Sequence, residues 1–462
     1  MSEPRSIRDP IHGFIRLNEK EADIIDTRAF QRLRNLRQLA FAYLVYPGAV
    51  HTRFEHSLGV CHVAGQLAKK LEFNDDEARL VRLAALMHDM GHGPFSHVSE
   101  EALEIFSDYT KLPANTDKIH ELITGTLIRG DRQVSKVLSS SETEQIISLL
   151  DRGYGEPIVR NILSGPLDAD KQDYLLRDTY FCGVKYGIFD LAQFHQVLES
   201  VSDPAGGKLL MVNPEGIHTL EQFVLAKYYM TTQVIKHRIR LITDQMLLRA
   251  ICLAIEKDEI DELKALYSFD GSYAFVERYS QWDDTNLLQR FSDQIFEGKY
   301  GHVLFSGLRH RSLLKLVFRS RVSELKVGAR DTIKSISKRQ NKARRRQLEE
   351  LLGECIQKIH GLTAYAGLDS SEFVIVHSYT FKSVKEESRN NEGSVLINKP
   401  TPLFFEDAST LFQSIDEKLS ETFVEVYAPV SYATPADRRR LQTRLRTPIV
   451  DTLEQFCVEG EL

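Results

Sequence analysis

The stretch that most strongly constrains this chain is HDMGHGPFSH, residues 88–97. Together with Met87 it holds three histidines, two glycines and a proline within eleven residues, a composition with no obvious packing purpose. Glycine lets a backbone approach a ligand closely. We therefore predict that this segment forms the wall of a polar site, with His92 and His97 facing the same cavity.

A helix is predicted immediately before this stretch. Residues 74–90 open with an N-cap asparagine and a capping box and continue with regularly spaced apolar residues, and Gly91 is placed as a C′ glycine. His88 and Asp89 would then lie at the C-terminus of the helix. The macrodipole favours a cation at that end.

A second helix brings another histidine inward. Thr52-Arg53-Phe54-Glu55 is a capping box, and His56 shares one helical face with Val60, Val63 and Leu67. His56 is therefore expected to point into the core. A buried imidazole needs a hydrogen-bonding or ligand partner.

The third predicted element follows the segment GPLDADK, residues 165–171. Asp170, Tyr174 and Asp178 lie at spacings of four residues, on one helical face. This stripe is either a solvated face or the wall of a polar site. Imidazole and carboxylate ligands together suit a divalent first-row metal such as Fe, Mn, Zn, Ni or Co. Taken singly, a core histidine, a chance His-Asp dipeptide and a helix-start acid are the commoner interpretations, and the concentration of residues in 87–97 favours a site.

Composition narrows the class of protein. The 462 residues allow about three domains or two large lobes. With 59 basic and 65 acidic residues the net charge is −6, which disfavours a surface that coats nucleic acid or an anionic membrane. Five scattered cysteines without a C-x-x-C pair indicate neither a disulfide framework nor a thiolate zinc site. We expect a cytoplasmic protein without a signal peptide or membrane span.

The pattern along the chain predicts a mainly α protein. Residues 21–265 are mainly helical, and 266–350 remain mostly so. Beyond residue 364 the pattern changes: 372–382, 394–399 and 422–427 read as strands, and short helices are expected in 407–420 and 435–457. This predicts a large all-α lobe and a smaller α+β C-terminal lobe.

Five motifs in order carry a family resemblance. They are IRDPIHG (7–13), IIDTRAFQRLR (24–34), RFEHSLGV (53–60), HDMGHGPFSH (88–97) and DADKQDYLLRD (168–178). With them the chain resembles the HD-domain phosphohydrolases and, more closely, the deoxynucleoside triphosphate triphosphohydrolases (dNTPases), in the form that combines SAM and HD domains but here without a SAM domain. The resemblance is strong over 1–180, thins across 181–330 and returns weakly afterwards.

The resemblance implies a domain division and a reaction. An HD-domain helical bundle would form the catalytic lobe, residues 1–330 with a core at 21–265. Residues 331–462 would form the α+β lobe, for oligomerisation or regulation. In the implied reaction, water attacks the α-phosphorus of a dNTP and releases a deoxynucleoside and inorganic triphosphate. A metal can polarise the phosphoryl group and lower the pKa of a bound water.

The resemblance also assigns residues to roles. The implied metal ligands, for Fe, Mn, Zn, Ni, Co or Mg, are His56, His88, Asp89 and Asp170. The groups implied around the triphosphate are Arg53, His92, His97, His120 and Lys171. The groups implied to hold the deoxyribose and exclude a 2′-OH are Gln38, Leu39, Tyr174 and Asp178.

Three positions, Glu100, Lys227 and Ile235, depart from the family. His97 is the expected acid for the leaving 5′-oxygen. Glu100, three residues later, stands where the family tends to have an aspartate, and either carboxylate could orient the His97 ring or raise its pKa. The expected catalytic set is thus His92, His97, His120 and Glu100. Lys227 falls where the family has a phosphate-binding arginine, and Ile235 where it has a tyrosine near the sugar and base.

A second set of matches concerns regulation. In the family the positions of Arg5, Asp26, Gln31 and Arg34 bind a guanine nucleotide between subunits. The resemblance therefore implies activation by GTP or a dNTP, and a homotetramer or at least a homodimer. The alternative is ordinary surface salt bridging.

Two basic segments lie outside these motifs, residues 334–346 and 438–446. They could bind nucleic acid, but a solvated helix face or pairing with acids across an oligomer interface is favoured. Two alternatives to a dNTPase remain: a phosphohydrolase or nuclease acting on single-stranded nucleic acid or a signalling nucleotide, and a non-catalytic nucleotide sensor. The physiological role, dNTP pool balance or antiviral and antiphage defence, is open.

Overall fold

A computed structural model describes residues 5–114, 116, 118–151, 156–203, 206–384, 395–414 and 420–459. Helices dominate these residues, and small sheets accompany them. The prediction of a mainly α protein with a smaller α+β part near the C-terminus is confirmed.

The described α-helices are, in chain order, α1 Glu19–Ile25, α2 Arg28–Gln31, α3 Arg53–Lys70, α4 Asp75–Met87, α5 His97–Phe106, α6 Ile119–Gly130, α7 Val134–Val137, α8 Ser140–Leu150, α9 Pro157–Ser164, α10 Ala169–Cys182, α11 Leu191–Gln196, α12 Ile217–Met230, α13 Arg238–Glu256, α14 Asp261–Tyr267, α15 Tyr273–Tyr279, α16 Asp284–Phe291, α17 Tyr300–Arg309, α18 Val327–Ser335, α19 Lys342–Ile359, α20 Phe405–Ala408, α21 Thr410–Gln413 and α22 Pro435–Glu459.

The described strands are β1 Arg5–Asp9, β2 Gly13–Leu17, β3 Leu198–Ser202, β4 Lys208–Val212, β5 Lys315–Arg321, β6 Ile375–Phe381, β7 Leu396–Ile397, β8 Leu403–Phe404 and β9 Glu421–Ala428. β1 and β2 form an antiparallel hairpin, and the second sheet has the order β3-β4-β7-β8. The third sheet, β5-β9-β6, is antiparallel throughout. β5 thus joins the C-terminal sheet although it precedes residue 330, and the domain division at that residue stays a prediction.

Helix α3 lies between two hydrophobic cores. Leu58 and Cys61 pack into a core that includes residues of α4, α5, α6, α13 and α17. Val63 and Leu67, on another face of α3, pack into a core with residues of α9, α10 and α12. A third core fills the space between the β5-β9-β6 sheet and helices α18, α19 and α22. Because both faces of α3 are packed, its first turn is fixed where the two larger cores meet.

Both predicted capping boxes form, at Thr52 for α3 and at Asn74 for α4. The expected end of α4 was wrong. The helix ends at Met87 with His88 as its C-cap, and Gly91 is not among the glycines with a positive φ, so it is not a left-handed C′ residue. Gly91 instead allows contact with α6, since a Cβ there would lie 2.3 Å from the carbonyl oxygen of His120.

The C-terminal elements differ from the predicted ones in extent. The expected strand at 372–382 is shorter, because a 3₁₀ turn at Ser370–Phe373 precedes β6. The strand expected at 394–399 is limited to β7, and residue 394 lies outside the described residues. The helix expected at 407–420 is replaced by α20 and α21, and residues 415–419 are not described. None of the helices in the described ranges is both long and apolar enough to span a membrane.

Candidate metal centre and its cavity

The first turn of α3 fixes the orientation of His56. The side chain is fully buried, and its Nδ1 lies 2.8 Å from Oδ2 of Asp173 on α10. Because a carboxylate only accepts hydrogen bonds, Nδ1 carries the proton and donates it. The Nε2 atom on the opposite side of the ring is therefore the nitrogen available to a metal.

His88 is oriented in the same way by backbone. Its Nδ1 donates a hydrogen bond of 2.8 Å to the carbonyl oxygen of Ala85, one turn earlier in α4. Its Nε2 is left with a lone pair. The Nε2 atoms of His56 and His88 are both buried, and neither has a hydrogen-bond partner within the described part of the chain. Two buried Nε2 atoms, on rings whose orientation is set through Nδ1, are what a metal site requires of its imidazole ligands.

Asp170 completes the group from the first turn of α10. Its Oδ1 lies 2.9 Å from Nε2 of His56, and one ligand atom each from His56, His88 and Asp170 all lie within 4.8 Å of one another. Two neutral imidazoles and a carboxylate are a donor set for a divalent first-row ion. The structure thus contains a cluster that could hold a divalent metal, as the sequence predicted.

The electrostatics of the cluster favour a positive charge. Burial alone would lower the pKa of His56, but the adjacent carboxylates of Asp170 and Asp173 raise it to about 10. The two carboxylates therefore attract a cation to this imidazole, and a metal ion can replace the proton there.

Asp89 borders the cluster but is also engaged elsewhere. Its Oδ2 accepts a hydrogen bond from Nη1 of Arg53, and its Oδ1 lies 3.2 Å from Nε2 of His88 and 3.3 Å from Nε2 of His92. Burial favours the neutral acid, yet the charge of Arg53 and the adjacent histidines hold the pKa of Asp89 well below its usual range. Asp89 is therefore ionised beside the cluster, and its role as a metal ligand stays a prediction.

The cluster opens into a cavity of about 630 Å³, within the range of small-molecule sites. The predicted phosphate and sugar residues that line it are Gln38, Leu39, Arg53, Lys171, Tyr174 and Asp178. The predicted catalytic residues that line it are His92, His97, His120 and Glu100. Ile235 also lies in the wall.

Three catalytic candidates lie together on one wall. The rings of His92 and His120 stack with centroids 4.0 Å apart, and those of His92 and His97 lie edge to face at 6.5 Å. Glu100 was expected to orient His97, but it contacts a different histidine. It accepts hydrogen bonds from Nδ1 of His120 at 2.9 Å and from the backbone N–H of Ile119 at 2.6 Å. Glu100 therefore caps α6 and orients His120, because α6 begins beside it.

A strained turn places His97. Phe95 and Ser96 have φ values of 57° and 51°, in the left-handed region that side chains other than glycine rarely adopt. The N–H of Phe95 donates to Asp284 at 2.7 Å, and Ser96 Oγ accepts from Nε of Arg53 at 2.8 Å. Buried contacts thus hold an unfavourable backbone beside the cavity, a pattern typical of functional sites.

The charge around His97 sets its protonation. Desolvation and the nearby cations Arg240 and Arg53 lower its pKa to about 3. Without a bound anion, the imidazole is neutral near pH 7.

The predicted sugar contacts also lie in the cavity wall. Oδ1 of Asp178 accepts a hydrogen bond of 2.8 Å from Nε2 of His51. The Oε1 atom of Gln38 is buried, without a hydrogen-bond partner among the residues that the structure describes. The cavity wall therefore presents a carboxylate oriented by His51 and a buried amide oxygen that can accept a hydrogen bond.

The structure adds residues that the sequence analysis did not single out. Lys118 and Arg240 contribute further cations to the cavity wall, and Glu104 and Glu121 contribute acids. Arg240 is buried, and its Nε and Nη1 have no hydrogen-bond partner in the described ranges. Among the described residues it forms an ion pair with Asp244, whose Oδ2 lies 3.5 Å from Nε. The basic run at 236–238 was the available signal for this helix, and Arg240 lies just beyond it.

Comparison with known proteins identifies two family regions in the chain. Residues 53–163 match the HD domain, and residues 204–354 match the HD associated region. The chain carries an HD domain. That domain contains His56, His88 and Asp89, whereas Asp170 follows its matched range, so α10 closes the cluster from outside it.

Relatives of this HD protein include YwfO of Bacillus subtilis, 34% identical over 51% of this chain and 53% of YwfO. The deoxynucleoside triphosphate triphosphohydrolase SAMHD1 of Danio rerio is 28% identical over 61% of this chain and 50% of SAMHD1. A solved phosphohydrolase from Bacteroides thetaiotaomicron is similar with a TM-score of 0.68 at 25% identity, over 92% of this chain and all of that one. The chain spans about half the length of the two curated relatives.

Lys227 lies on α12, inside the HD associated region, and is not part of the described cavity wall.

The predicted effector residues form two contacts on the surface of the HD protein. Nη1 of Arg5 donates to Oδ2 of Asp26 at 2.7 Å, and Nε of Arg34 donates to Oε1 of Gln31 at 2.8 Å. The salt-bridge alternative is therefore realised for Arg5 and Asp26 in this structure, and the effector role stays a prediction.

Proposed function

We propose that this protein is a metal-dependent dNTP triphosphohydrolase that cleaves a dNTP to a deoxynucleoside and inorganic triphosphate. One observation carries the proposal: the cluster of His56, His88 and Asp170 faces a 630 Å³ cavity whose wall supplies both cations and histidines. The SAMHD1 relatives, which are named as deoxynucleoside triphosphate triphosphohydrolases, support this choice of substrate.

Four cations, Arg53, Lys118, Lys171 and Arg240, would bind the triphosphate. The chain has a net charge of −6, so attraction of a polyanion must come from this local set. In the absence of phosphate, Lys171 Nζ donates to Oδ2 of Asp168 and to the carbonyl oxygen of Gly165. Phosphate oxygens can compete for the same ammonium group.

A divalent ion bound by His56, His88 and Asp170 would supply Lewis acidity and a water of lowered pKa at the α-phosphorus. The histidines of the cavity wall, His92, His97 and His120, would supply the proton for the leaving group. His97 is neutral without ligand, but the negative charge of a bound triphosphate raises the pKa of an adjacent imidazole. The protonated His97 would then donate to the departing 5′-oxygen, while Glu100 holds His120 by its Nδ1.

The side chains of Gln38, Leu39, Tyr174 and Asp178 in the cavity wall would select the sugar. Gln38 has a buried acceptor without a partner among the described residues, and Asp178 is held by His51. These groups can accept the 3′-OH, and the side chains of Leu39 and Tyr174 would leave no room for a 2′-OH. Ile235, where the family has a tyrosine, would make the contact with the base purely apolar.

Regulation and assembly follow as further parts of the proposal. The surface that holds Arg5, Asp26, Gln31 and Arg34 would bind GTP or a dNTP as activator, and the activated form would be a homotetramer or homodimer. The proposed physiological outcome is control or depletion of dNTP pools, which would also serve antiviral or antiphage defence. Cytoplasmic location is part of this proposal.

Action on single-stranded nucleic acid is less favoured, because part of each basic segment is paired within the chain. Lys342 pairs with Glu256, Arg346 pairs with Glu372, and Arg446 Nη2 lies 3.3 Å from Glu324. A non-catalytic sensor is disfavoured by the metal cluster.

The direct test crosses each dNTP with Mn²⁺ or Mg²⁺, with and without GTP, dGTP or dTTP. Release of triphosphate is expected in at least one combination. Absence of turnover in every combination, with metal shown to be bound, would overturn the proposal. Salt-dependent binding of an oligonucleotide, weakened by charge reversal at Arg344–Arg346, would instead favour the nucleic-acid alternative.

A further inference from the structure

A buried carboxylate behind the metal cluster contacts one of its two histidines. Asp173 lies on α10, three residues after Asp170, and is fully buried. Its two oxygens are within hydrogen-bond distance of two histidines and an arginine. Oδ2 accepts from Nδ1 of His56 at 2.8 Å and from Nε of Arg177 at 2.8 Å. Oδ1 accepts from Nε2 of His12 at 2.7 Å and from Nη2 of Arg177 at 2.9 Å.

The network continues to the N-terminal hairpin. Nη1 of Arg177 donates to Oδ2 of Asp9 at 2.9 Å, and Oδ1 of Asp9 accepts from the backbone N–H groups of Ile11 and His12. Asp9 thus fixes the turn that brings His12 to Asp173. The side chains of Asp9, Asp173 and Arg177 are buried, and every carboxylate oxygen among them accepts a hydrogen bond, which favours a single geometry.

Helix α3 leaves space for this carboxylate. A Cβ at Gly59 would lie 1.8 Å from Oδ1 of Asp173 and 2.5 Å from Nη2 of Arg177. Only a glycine at this position allows α3 and α10 to approach with the carboxylate between them. The close approach places Asp173 directly behind His56, one turn from the start of α3.

The two histidines of the cluster are held by unlike acceptors. Nδ1 of His88 donates to a neutral backbone carbonyl, whereas Nδ1 of His56 donates to a charged carboxylate. A carboxylate acceptor fixes the tautomer and makes the opposite nitrogen a stronger donor to a metal. His56 should therefore bind the ion more strongly than His88 does.

We propose that Asp173 is a positioning residue, held by Arg177 and Asp9, that fixes the Nδ1–H tautomer of His56 and strengthens its Nε2 as a metal ligand. The proposal concerns metal affinity and applies whatever the substrate is.

The test measures binding of Mn²⁺ alone to the full chain, without nucleotide, by titration calorimetry. Asp173→Asn should weaken Mn²⁺ binding about 10- to 100-fold. The absorption bands of bound Co²⁺ should also change, because the ligand strength of His56 changes. Neither measurement depends on turnover, so failure here is distinct from failure of the dNTPase proposal.

Glu21→Gln is the matched control. Glu21 is fully buried and accepts two hydrogen bonds of 2.7 Å from Arg82, without contact to His56, His88 or Asp170. This variant also removes a buried carboxylate from an arginine, but its Mn²⁺ affinity should match the wild type. An unchanged affinity in folded Asp173→Asn, or an equal loss in Glu21→Gln, would overturn the proposal.

If Asp173→Asn does not fold, Asp9→Asn tests the same network one contact further away. It should lower the Mn²⁺ affinity several-fold and leave the ligands themselves in place. Wild-type affinity in this variant would overturn the role of the network.

Discussion

The backbone of Gly91 approaches His120 so closely that a Cβ on Gly91 would lie 2.3 Å from the His120 carbonyl oxygen. Gly91 belongs to the segment that follows the metal-cluster residue His88, and His120 belongs to the histidine wall of the cavity. The absence of a side chain on Gly91 therefore lets α6, which carries the candidate catalytic residue His120, lie close to the segment after His88.

Gly91→Ala should disturb stability and catalysis together. The methyl group must displace α6, at a cost of about 1–3 kcal/mol in the free energy of unfolding, and His120 moves with the helix. Gly328→Ala is the control, because a Cβ at this helical glycine meets open space and should stabilise by about 0.5–1 kcal/mol. Thermal unfolding and dNTP turnover measure both effects, and a Gly91→Ala protein with wild-type values would contradict the account.

His88→Ala should remove the metal. The variant loses one of the two buried lone-pair nitrogens of the cluster, so metal content by mass spectrometry should fall close to zero after dialysis. His218→Ala is the control, since that exposed histidine contacts Glu221 away from the cluster. Full metal content in His88→Ala would show that the ligand assignment is wrong.

Arg240→Ala should weaken substrate binding. Loss of a buried guanidinium with unsatisfied nitrogens in the cavity wall should raise KM for the dNTP about 10- to 100-fold, with metal content unchanged. Arg240→Lys should recover part of the loss, because lysine restores the charge but not the planar fork. The control is Arg290→Ala, an exposed arginine paired with Glu262. Equal KM values for the Ala variants at 240 and 290 would exclude a substrate contact for Arg240.

The pH dependence of stability should report His195. Burial, and then the charges of His12, His62 and Lys70, lower its pKa from 6.5 to about 4, and its Nε2 donates to Gln172 at 2.7 Å. As the pH falls, His195 is therefore protonated in the unfolded chain before it is protonated in the folded protein. The contribution of neutral His195 to the free energy of unfolding is fully present above the unfolded pKa, and it is lost as the pH falls from 6.5 towards 4.

Between about pH 7.5 and about pH 5 this histidine should account for about 2 kcal/mol of lost unfolding free energy. His195→Gln keeps a donor for Gln172 and does not titrate, so its stability should fall less over the same interval. Urea unfolding of both proteins measures the difference. Parallel losses in the two proteins would rule out His195 as the titrating group.

Local signals in the sequence predicted much of the metal centre. The capping box at Thr52 fixed where α3 begins, and helical spacing then turned His56 towards the core. The stripe of Asp170, Tyr174 and Asp178 was correctly placed on one helix that lines the cavity. These features depend on residues near one another in the chain, where spacing determines direction.

Contacts between distant segments could not be predicted in the same way. The bond between Glu100 and His120 depends on where α6 begins, and the bond between His12 and Asp173 depends on how the hairpin packs on α10. Arg240 could not be singled out from the sequence, because its importance comes from its place in the cavity wall and from two nitrogens that lack a hydrogen-bond partner among the described residues. Tertiary packing decides each of these.

The most direct test of the central claim is hydrolysis of a dNTP by the metal-loaded protein in H₂¹⁸O, followed by mass spectrometry of the products. The account predicts an unlabelled deoxynucleoside and inorganic triphosphate that carries one ¹⁸O atom, because water attacks the α-phosphorus and the 5′-oxygen leaves. Labelled deoxynucleoside monophosphate with pyrophosphate, or labelled orthophosphate, would contradict it.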